Sequence, residues 1–527
     1  MLRSRCGCLA VLAALSAGCS SYYTYYQKSA EREILEILES KRDYAVDRWQ
    51  KNAKMPEPEK APAPVKTEGN PGEVRVLSLR DALRIATQDN RSFKSQRESV
   101  DLAALSAALE RHNFGPVISN TISYVSTQTS SADGSRTNTG TGRADFSVSQ
   151  ILPTGGTVRA SSAGRKVTDR RTGGPSTYSH DITVSFEQPL LKGAGREVAY
   201  EDLTQAERDV MYALRDFELF RQDFSLEVLM KYYAILRQKQ VVENSRHTLE
   251  QFTFLRKRSD ALFKVGKVRT IDRYRAKQEE LTASNNLITE EEALSASLDD
   301  FKVILGVPVS ARIDVADTRP AVKAAHIDLK SALGAALHNR LDLKTVVEQL
   351  EDAERRLRIA KNGLLPDLDL SASYTIGGTK TGDVSTFYHD RSRSLGIALS
   401  LPLDKVSDRN AYKRALINRH RQMRSVTLAR DHIKVEVLNT YRRLRRLENS
   451  IRIQKANVEL AGKRVENAKL RFEAGELGNR DVVEAQSAKL RAQNALIRAI
   501  LDYEVARLQL KRDIGILFLD SDGMWKK

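Results

Sequence analysis

The chain of 527 residues contains only three cysteines, Cys6, Cys8 and Cys19, all near its N-terminus. No disulfide framework can therefore staple its body. Beyond Cys19 there is no run of 18 apolar residues. No spanning helix is available there, and a membrane crossing would have to be made by strands of a closed barrel. The eight histidines are scattered, with no H-E-x-x-H spacing, no G-x-S-x-G elbow and no phosphate loop. An enzyme is excluded on these grounds, and neither a metal nor a cofactor is expected. Aromatics are scarce at 6% while charged residues reach 29%, a balance that suits long solvated helices. The net charge is +17, but 68 acidic residues are interspersed among 85 basic ones. The densest basic run, Arg442 to Arg446, reads as a solvated helix face, so nucleic acid is not an expected partner.

The first residues, "MLRSRCGCLAVLAALSAGCSS", join a basic start to a short apolar run and small residues. Residues 1–18 read as a secretory signal peptide, too short to span a bilayer stably. "LSAGCS" resembles a bacterial lipobox, with Ser16 where leucine is more usual. Cys19 would then become the first residue and carry lipid (palmitate-type acyl chains), and Ser20 points to the outer membrane. Ordinary cleavage leaving a spare cysteine is the alternative. Residues 19–75 form the lipid-anchored N-terminal segment, with a short helix expected around Ile34 to Trp49. The linker "MPEPEKAPAPVKTEGNPG" follows.

The remainder reads as one unit written twice, over 76–320 and 321–518, with a tail over 519–527. "LSLRDAL" at Leu77 matches "IDLKSAL" at Ile327, and the same offset of 250 pairs Pro116 with Pro366 and Tyr124 with Tyr374. The offset falls to 213 at Pro189 and Pro402, so the first copy holds 37 extra residues between its prolines. It is then 209 at Gly266 and Gly475 and again at Gly306 and Gly515. Around the first of these glycine pairs, eight of 25 residues are identical.

Each copy reads as helix, strands, very long helix, turn, helix. Val437, Leu444, Ile451, Val458, Val465 and Phe472 fall seven apart, with small or polar residues such as Ala461 and Ala468 on the second seam. Leu203, Val210, Phe217 and Phe224 repeat this in the first copy. Such heptads predict close-packed, coiled-coil-like helices. A helix from Asp404 to Glu473 would be ~105 Å long. Between the prolines the period changes to two, as in "PDLDLSASYTI" and "SLGIALSLPL". Two strands are expected in the second copy. Four are expected in the first, near Ile118–Ser126, Ala144–Leu152, Thr157–Ala163 and Tyr178–Gln188. An apolar face opposite a small, polar one is the pattern of a barrel wall. A half-buried soluble hairpin would alternate in the same way. The fold class is thus mostly α with a transmembrane β-barrel portion.

This duplicated helix–strands–long helix–helix unit behind a lipobox resembles the TolC family of outer membrane efflux ducts. The resemblance covers about Leu77 to Leu517 and is most specific in "QPLLKGAG", the paired prolines and the twin glycine turns. It implies a homotrimer, with a periplasmic α-helical duct topped by one shared β-barrel. It also implies a periplasmic adaptor (membrane fusion) protein and an inner-membrane transporter as partners, besides outer membrane lipid. The family's common form gives four strands per protomer, so six would make an 18-strand barrel, or a twelve-strand barrel with a hairpin outside it. The glycines suit left-handed turns, Thr270 and Asn479 the N-caps of the returning helices, and Asp272 and Asp481 their first turns. By resemblance, Gly266, Lys267 and Val268 with Gly475, Glu476 and Leu477 are the adaptor-docking tips. Asp272, Asp481 and Glu484 then belong to a periplasmic gate and acidic ring. Phe472, Leu477 and Ile271 depart from the family's pattern there, and Arg269 and Arg480 are available for other ion pairs. The rival reading is a membrane-tethered coiled-coil lipoprotein scaffold without a channel.

Overall fold

The computed structural model describes residues 19–45, 74–130, 136–170, 174–266, 268–317, 327–382, 390–474, 476–520 and 522–525. The expected signal peptide and the whole of the linker lie outside them. The chain divides into two compact units.

The first unit comprises Met1–Arg48, Ser99–Leu214 and Thr345–Val426. Its centre is one six-stranded antiparallel sheet in sequential order: β2 (Val117–Ser130), β3 (Arg136–Ile151), β4 (Thr157–Asp169), β5 (Thr177–Pro189), β7 (Asp367–Thr381) and β8 (Asp390–Ser400). The expected count of four strands plus two holds, but β2, β3 and β4 run well past their expected ends. Their far ends are rich in Thr, Ser, Asn and Gly, where alternation fades although the ladder continues from Ser126↔Gly140 to Ser130↔Arg136. Register places most of the large apolar residues on one face, with Val117, Val125, Ile151 and Val167 on the other. Ile118 pairs with Val148, Val148 with Ala160, Ala160 with Val184, and Val184 with Tyr374. Across the last pair, Leu370 meets Ile397 and Ala372 meets Leu395. The opposite face carries Ser119, Ser147, Ser161, Thr183 and Thr375 in a row. Ile122, Leu395 and Ile397 are each more than 70% exposed, so nothing in this chain covers the apolar face there.

Helix α1 spans Cys19–Ala45, beginning fifteen residues before the expected Ile34, and the expected end at Trp49 lies outside the described residues. Its tyrosine- and serine-rich start has no apolar period, so only its later half could be read from sequence. There Ile37 packs with Ala104, Ala107 and Val210, and Lys41 joins Arg111 on Glu207 at 2.7 and 2.8 Å. Burial pushes the Glu207 carboxyl up, but the two cations outweigh it and hold the group below its usual value.

The second unit comprises Trp49–Glu98, Arg215–Lys344 and Thr427–Lys527. A two-stranded parallel sheet pairs β1 (Arg75–Leu77) with β6 (Ile313–Val315). Its main core gathers Leu77, Leu83, Leu229, Tyr232, Ile235, Phe301, Leu305 and Leu508. The Tyr232 hydroxyl is satisfied there by the Ala316 carbonyl at 2.9 Å.

The helices along the chain come in matched pairs. Short α2 (Leu79–Asp89) and α7 (Leu329–Asn339) each have 11 residues, and α3 (Arg91–Asn113) and α8 (Leu341–Asn362) have 23 and 22. After the single turn α4 (Arg196–Ala199) in the first copy come α5 (Glu201–Lys264) and α9 (Val406–Glu473), with 64 and 68. The last pair is α6 (Thr270–Leu305) and α10 (Asn479–Asp513), with 36 and 35. The seam residues Val437, Leu444, Ile451 and Val465 are buried, as the heptads require. Matched N-caps begin the short helices: Ser78 accepts from the Asp81 N–H, and Asp328 from that of Ser331. The second glycine pair has a structural cause. Gly306 (φ +75°) lies against the Asp89–Asn90 junction of α2 and α3, and Gly515 (φ +77°) against Asn339–Arg340 of α7 and α8. A side chain at either position would meet backbone, so the same close approach is built twice.

Candidate functional site

The first glycine pair of the repeat, Gly266 and Gly475, lies in sequence between α5 and α6 and between α9 and α10, and each of these helix pairs forms a hairpin. Gly266 has φ +71° and ends α5 as expected, its N–H donating to the Phe263 carbonyl at 3.0 Å. Lys267 and Gly475 lie outside the described residues, while Val268 sits half-buried in the bend. The expected N-caps shift by one residue. Thr270 and Asn479 are the first helical residues, and Arg269 and Gly478 hold the extended cap positions. Neither cap needs its own side chain. The Gly478 N–H donates instead to the Asp481 carboxylate at 3.2 Å, while the Gly478 carbonyl accepts from the Asp481 N–H at 3.2 Å. A carboxylate three residues into a helix satisfies the same orphan donor that a capping side chain leaves free.

The acidic residues of these tips have cationic partners other than the arginines expected. Asp272 faces Arg275 at 3.5 Å, and Glu484 faces Arg464 across the second hairpin at 2.9 Å. Both members of the latter pair are over half exposed, so the bond is worth at most about 1 kcal/mol and is readily exchanged. In the first hairpin Arg273 bonds Asp260 at 2.8 Å and lies over the Phe263 ring. The Arg273 hydrogen bond, with help from Arg256, holds the Asp260 carboxyl below its ordinary value. Glu476 is exposed and accepts from Arg471 at 2.9 Å. Leu477 turns inward, against the cluster of Val465, Ala468, Val482 and Ala485.

Phe472 brings the two hairpins together. It packs with Val465 and Val482 of its own hairpin and with Phe252, Leu255 and Ala283 of the other. Arg258 lies over its ring at 5.2 Å, and Lys469 donates to Gln251 at 2.9 Å. A groove of about 390 Å³ runs alongside, walled by Phe254, Leu255, Arg258, Phe472 and Gln486. Phe472 is visible in the sequence as a heptad residue. Its contact with the first hairpin is not, because no sequence spacing relates α5 to α9. Near the first tip Val265, Ile271 and Tyr274 each expose over half their surface. Cys19 is the first residue of α1. Among the described residues no cluster of His, Cys, Asp or Glu could hold a metal ion, and no helix is long and apolar enough to cross a membrane.

A six-stranded sheet with one largely apolar face, in a chain that also holds a duplicated set of long helices, fits a membrane channel of the helical-duct class. Comparison with known proteins agrees. Residues 332–515 match the family model described as outer membrane efflux protein. The alkaline protease secretion protein AprF of Pseudomonas aeruginosa is 26% identical over 356 residues, covering 64% of this chain and 70% of that protein. The Campylobacter jejuni CmeC outer membrane channel superposes with a TM-score of 0.64 at 14% identity, covering 83% of this chain and 85% of that one. The Vibrio cholerae outer membrane protein VceC gives 0.63 at 15%, covering 83% and 96%. Over residues 332–515, then, the chain resembles the outer membrane efflux protein family. It is a channel of the bacterial outer membrane, with its helical part in the periplasm, and works in tripartite export systems rather than as an enzyme.

Proposed function

We propose that three copies of this chain form one export duct, each giving all six strands to a single 18-strand barrel. One observation carries this reading: the six strands form an uninterrupted sheet in sequential order, and most of its large apolar residues share a face. An extra hairpin packed outside a twelve-strand wall would break that order. The free edges β2 and β8 run in opposite directions, so β8 of one copy can pair antiparallel with β2 of the next, and three-fold symmetry closes the ring. Pairing would satisfy two long edges that in a lone subunit invite aggregation.

The hairpin turns then occur six times around one opening. Gly266 to Val268 and Gly475 to Leu477 become the surface that receives a periplasmic adaptor linked to an inner-membrane transporter. Exposed Val265, Ile271 and Tyr274 and the groove beside Phe472 support docking of helical hairpins there. Asp272, Asp481 and Glu484 become rings of carboxylate that narrow the opening and favour cations. Cys19, lipidated, tethers α1 to outer membrane lipid, and the Ile37 and Lys41 contacts hold the rest of that helix. The domain limits 19–75, 76–320, 321–518 and 519–527 follow this division.

The test is extraction of the outer membrane with detergent. A trimer whose gel migration changes on heating is expected. A monomer that becomes soluble once Cys19 is replaced would overturn the duct and favour the tethered scaffold.

A further inference from the structure

The carboxylates of the six strands all lie on one face of the sheet and leave the other with cations alone, which a barrel wall does not require. Strand parity places Asp145, Asp169, Asp181, Glu187, Asp367, Asp369 and Asp390 on the polar face, with Arg143, Arg159 and Arg165. On the apolar face the strands carry Arg136, Lys166, Lys380, Arg391 and Arg393 and, among the described residues, no carboxylate. Arg170, just past β4, continues the ladder by donating its N–H to the Asn138 carbonyl and lies on this face too.

All six cations sit in the half of the sheet remote from the helix junctions, beyond the band of Ile118, Val148, Val184, Leu370 and Ile397. Three are set against tyrosine rings. Lys166 lies 5.2 Å from the Tyr178 ring, Arg393 5.6 Å from Tyr374, and Arg170 5.5 Å from Tyr124, whose hydroxyl it also bonds at 2.6 Å. Between two of these pairs the missing side chains of Gly142 and Gly164 and the small Ala144 leave a hollow of about 650 Å³. Tyr124, Tyr178 and Lys166 line it, and it is open to whatever surrounds the sheet.

We infer that this hollow and its rim bind a phosphorylated lipid of the outer leaflet, of the bisphosphorylated, multiply acylated glycolipid class. Its acyl portion lies over Gly142 and Gly164, and its phosphates meet Lys166 and Arg170. The inference rests on the barrel reading above, which turns the apolar face towards lipid. Charge complementarity selects this occupant. A face offering six cations and no anion to the membrane rim favours headgroup phosphate, and tyrosine with arginine suits an interface that is apolar on one side and wet on the other. A second protein surface would need carboxylates at a depth where hydrocarbon begins.

The experiment purifies the full-length protein in mild detergent and measures bound lipid A by native mass spectrometry. Lys166→Gln with Arg170→Gln should lower retained lipid A at least fivefold. Arg159→Gln, on the opposite face of β4 and away from the hollow, should leave it unchanged. Equal retention in wild type and the first variant, or an equal loss in both variants, overturns the proposal. In a second arm, added bisphosphorylated lipid A should raise the thermal midpoint of delipidated wild-type protein, and dephosphorylated lipid A should not. Inorganic phosphate giving the same rise would overturn the assignment to lipid without any need for the variants to fold. Should the protein fail to fractionate with the outer membrane as a heat-modifiable trimer, the barrel reading itself fails. If it does fractionate so and retains no lipid A, only this inference fails.

Discussion

At the scale of single residues, two glycines with nearly the same φ answer different needs. Gly266 has open space where a Cβ would point, so Gly266→Ala costs only the left-handed backbone, about 1–2 kcal/mol. At Gly306 the same Cβ would also lie 2.8 Å from the Asn90 nitrogen, so Gly306→Ala should cost clearly more. Thermal midpoints of the two variants in detergent should fall in that order, and equal shifts would contradict the duplicated close approach. The Arg340 junction gives a pH prediction. Burial raises the Asp342 carboxyl, but the paired hydrogen bonds and charge of Arg340 outweigh it and hold the group below its ordinary value. A depressed carboxyl contributes stability that is complete above the unfolded value near ~4 and is lost as pH falls through the folded one. Asp342→Asn should therefore be less stable than wild type at pH 7, with the gap closing towards pH 3. A gap of constant size across that range would exclude this linkage.

At the scale of elements, the hairpin β3–β4 is the part of the first copy that the second copy lacks. Its turn is tied at the base of the sheet, with Thr154 bonded to the Gln188 side chain at 2.6 Å and to the Gly195 N–H at 3.0 Å. Deleting residues 131–173 joins β2 to β5 with strand direction preserved. With strands ~4.8 Å apart and tilted ~40°, the barrel should shrink from ~36 to ~24 Å across, backbone to backbone. Electron microscopy of detergent-held trimers would measure this. An unchanged diameter would place the hairpin outside the wall. Strand number was legible because prolines bound each strand region and alternation is clear in the part of most runs nearest them. Strand length was not, because where Thr, Ser and Gly occupy both faces only the ladder itself shows that pairing goes on.

At the scale of the whole molecule, the tips matter through repetition. Asp481 and Glu484, one serving a cap and one a surface ion pair, become a ring only in a trimer. Asp481→Asn keeps an acceptor for the Gly478 N–H and removes charge, and Glu484→Gln frees Arg464. The double variant should keep the fold and weaken block of single channels by multivalent cations at least severalfold. Unchanged block would dispose of the ring. The arginines that face Asp272 and Glu484 escaped the sequence reading for different reasons. Arg275 is three residues along one helix, whereas Arg464 belongs to the opposite arm of the hairpin and depends on how α9 packs on α10.

What the sequence determined alone was everything carried by period and repetition: two copies, heptads, six alternating runs, a glycine to end the first long helix. These follow from local sterics and from burial of one face, which a single chain segment already encodes. The tertiary structure decided what depends on register between segments. Phe472 bridges both hairpins, Gly306 and Gly515 press on helix junctions 250 residues apart in their copies, and the cations of six strands share one face. A two-residue period says that faces differ, but only the hydrogen-bonded ladder says which residue of one strand stands beside which residue of the next.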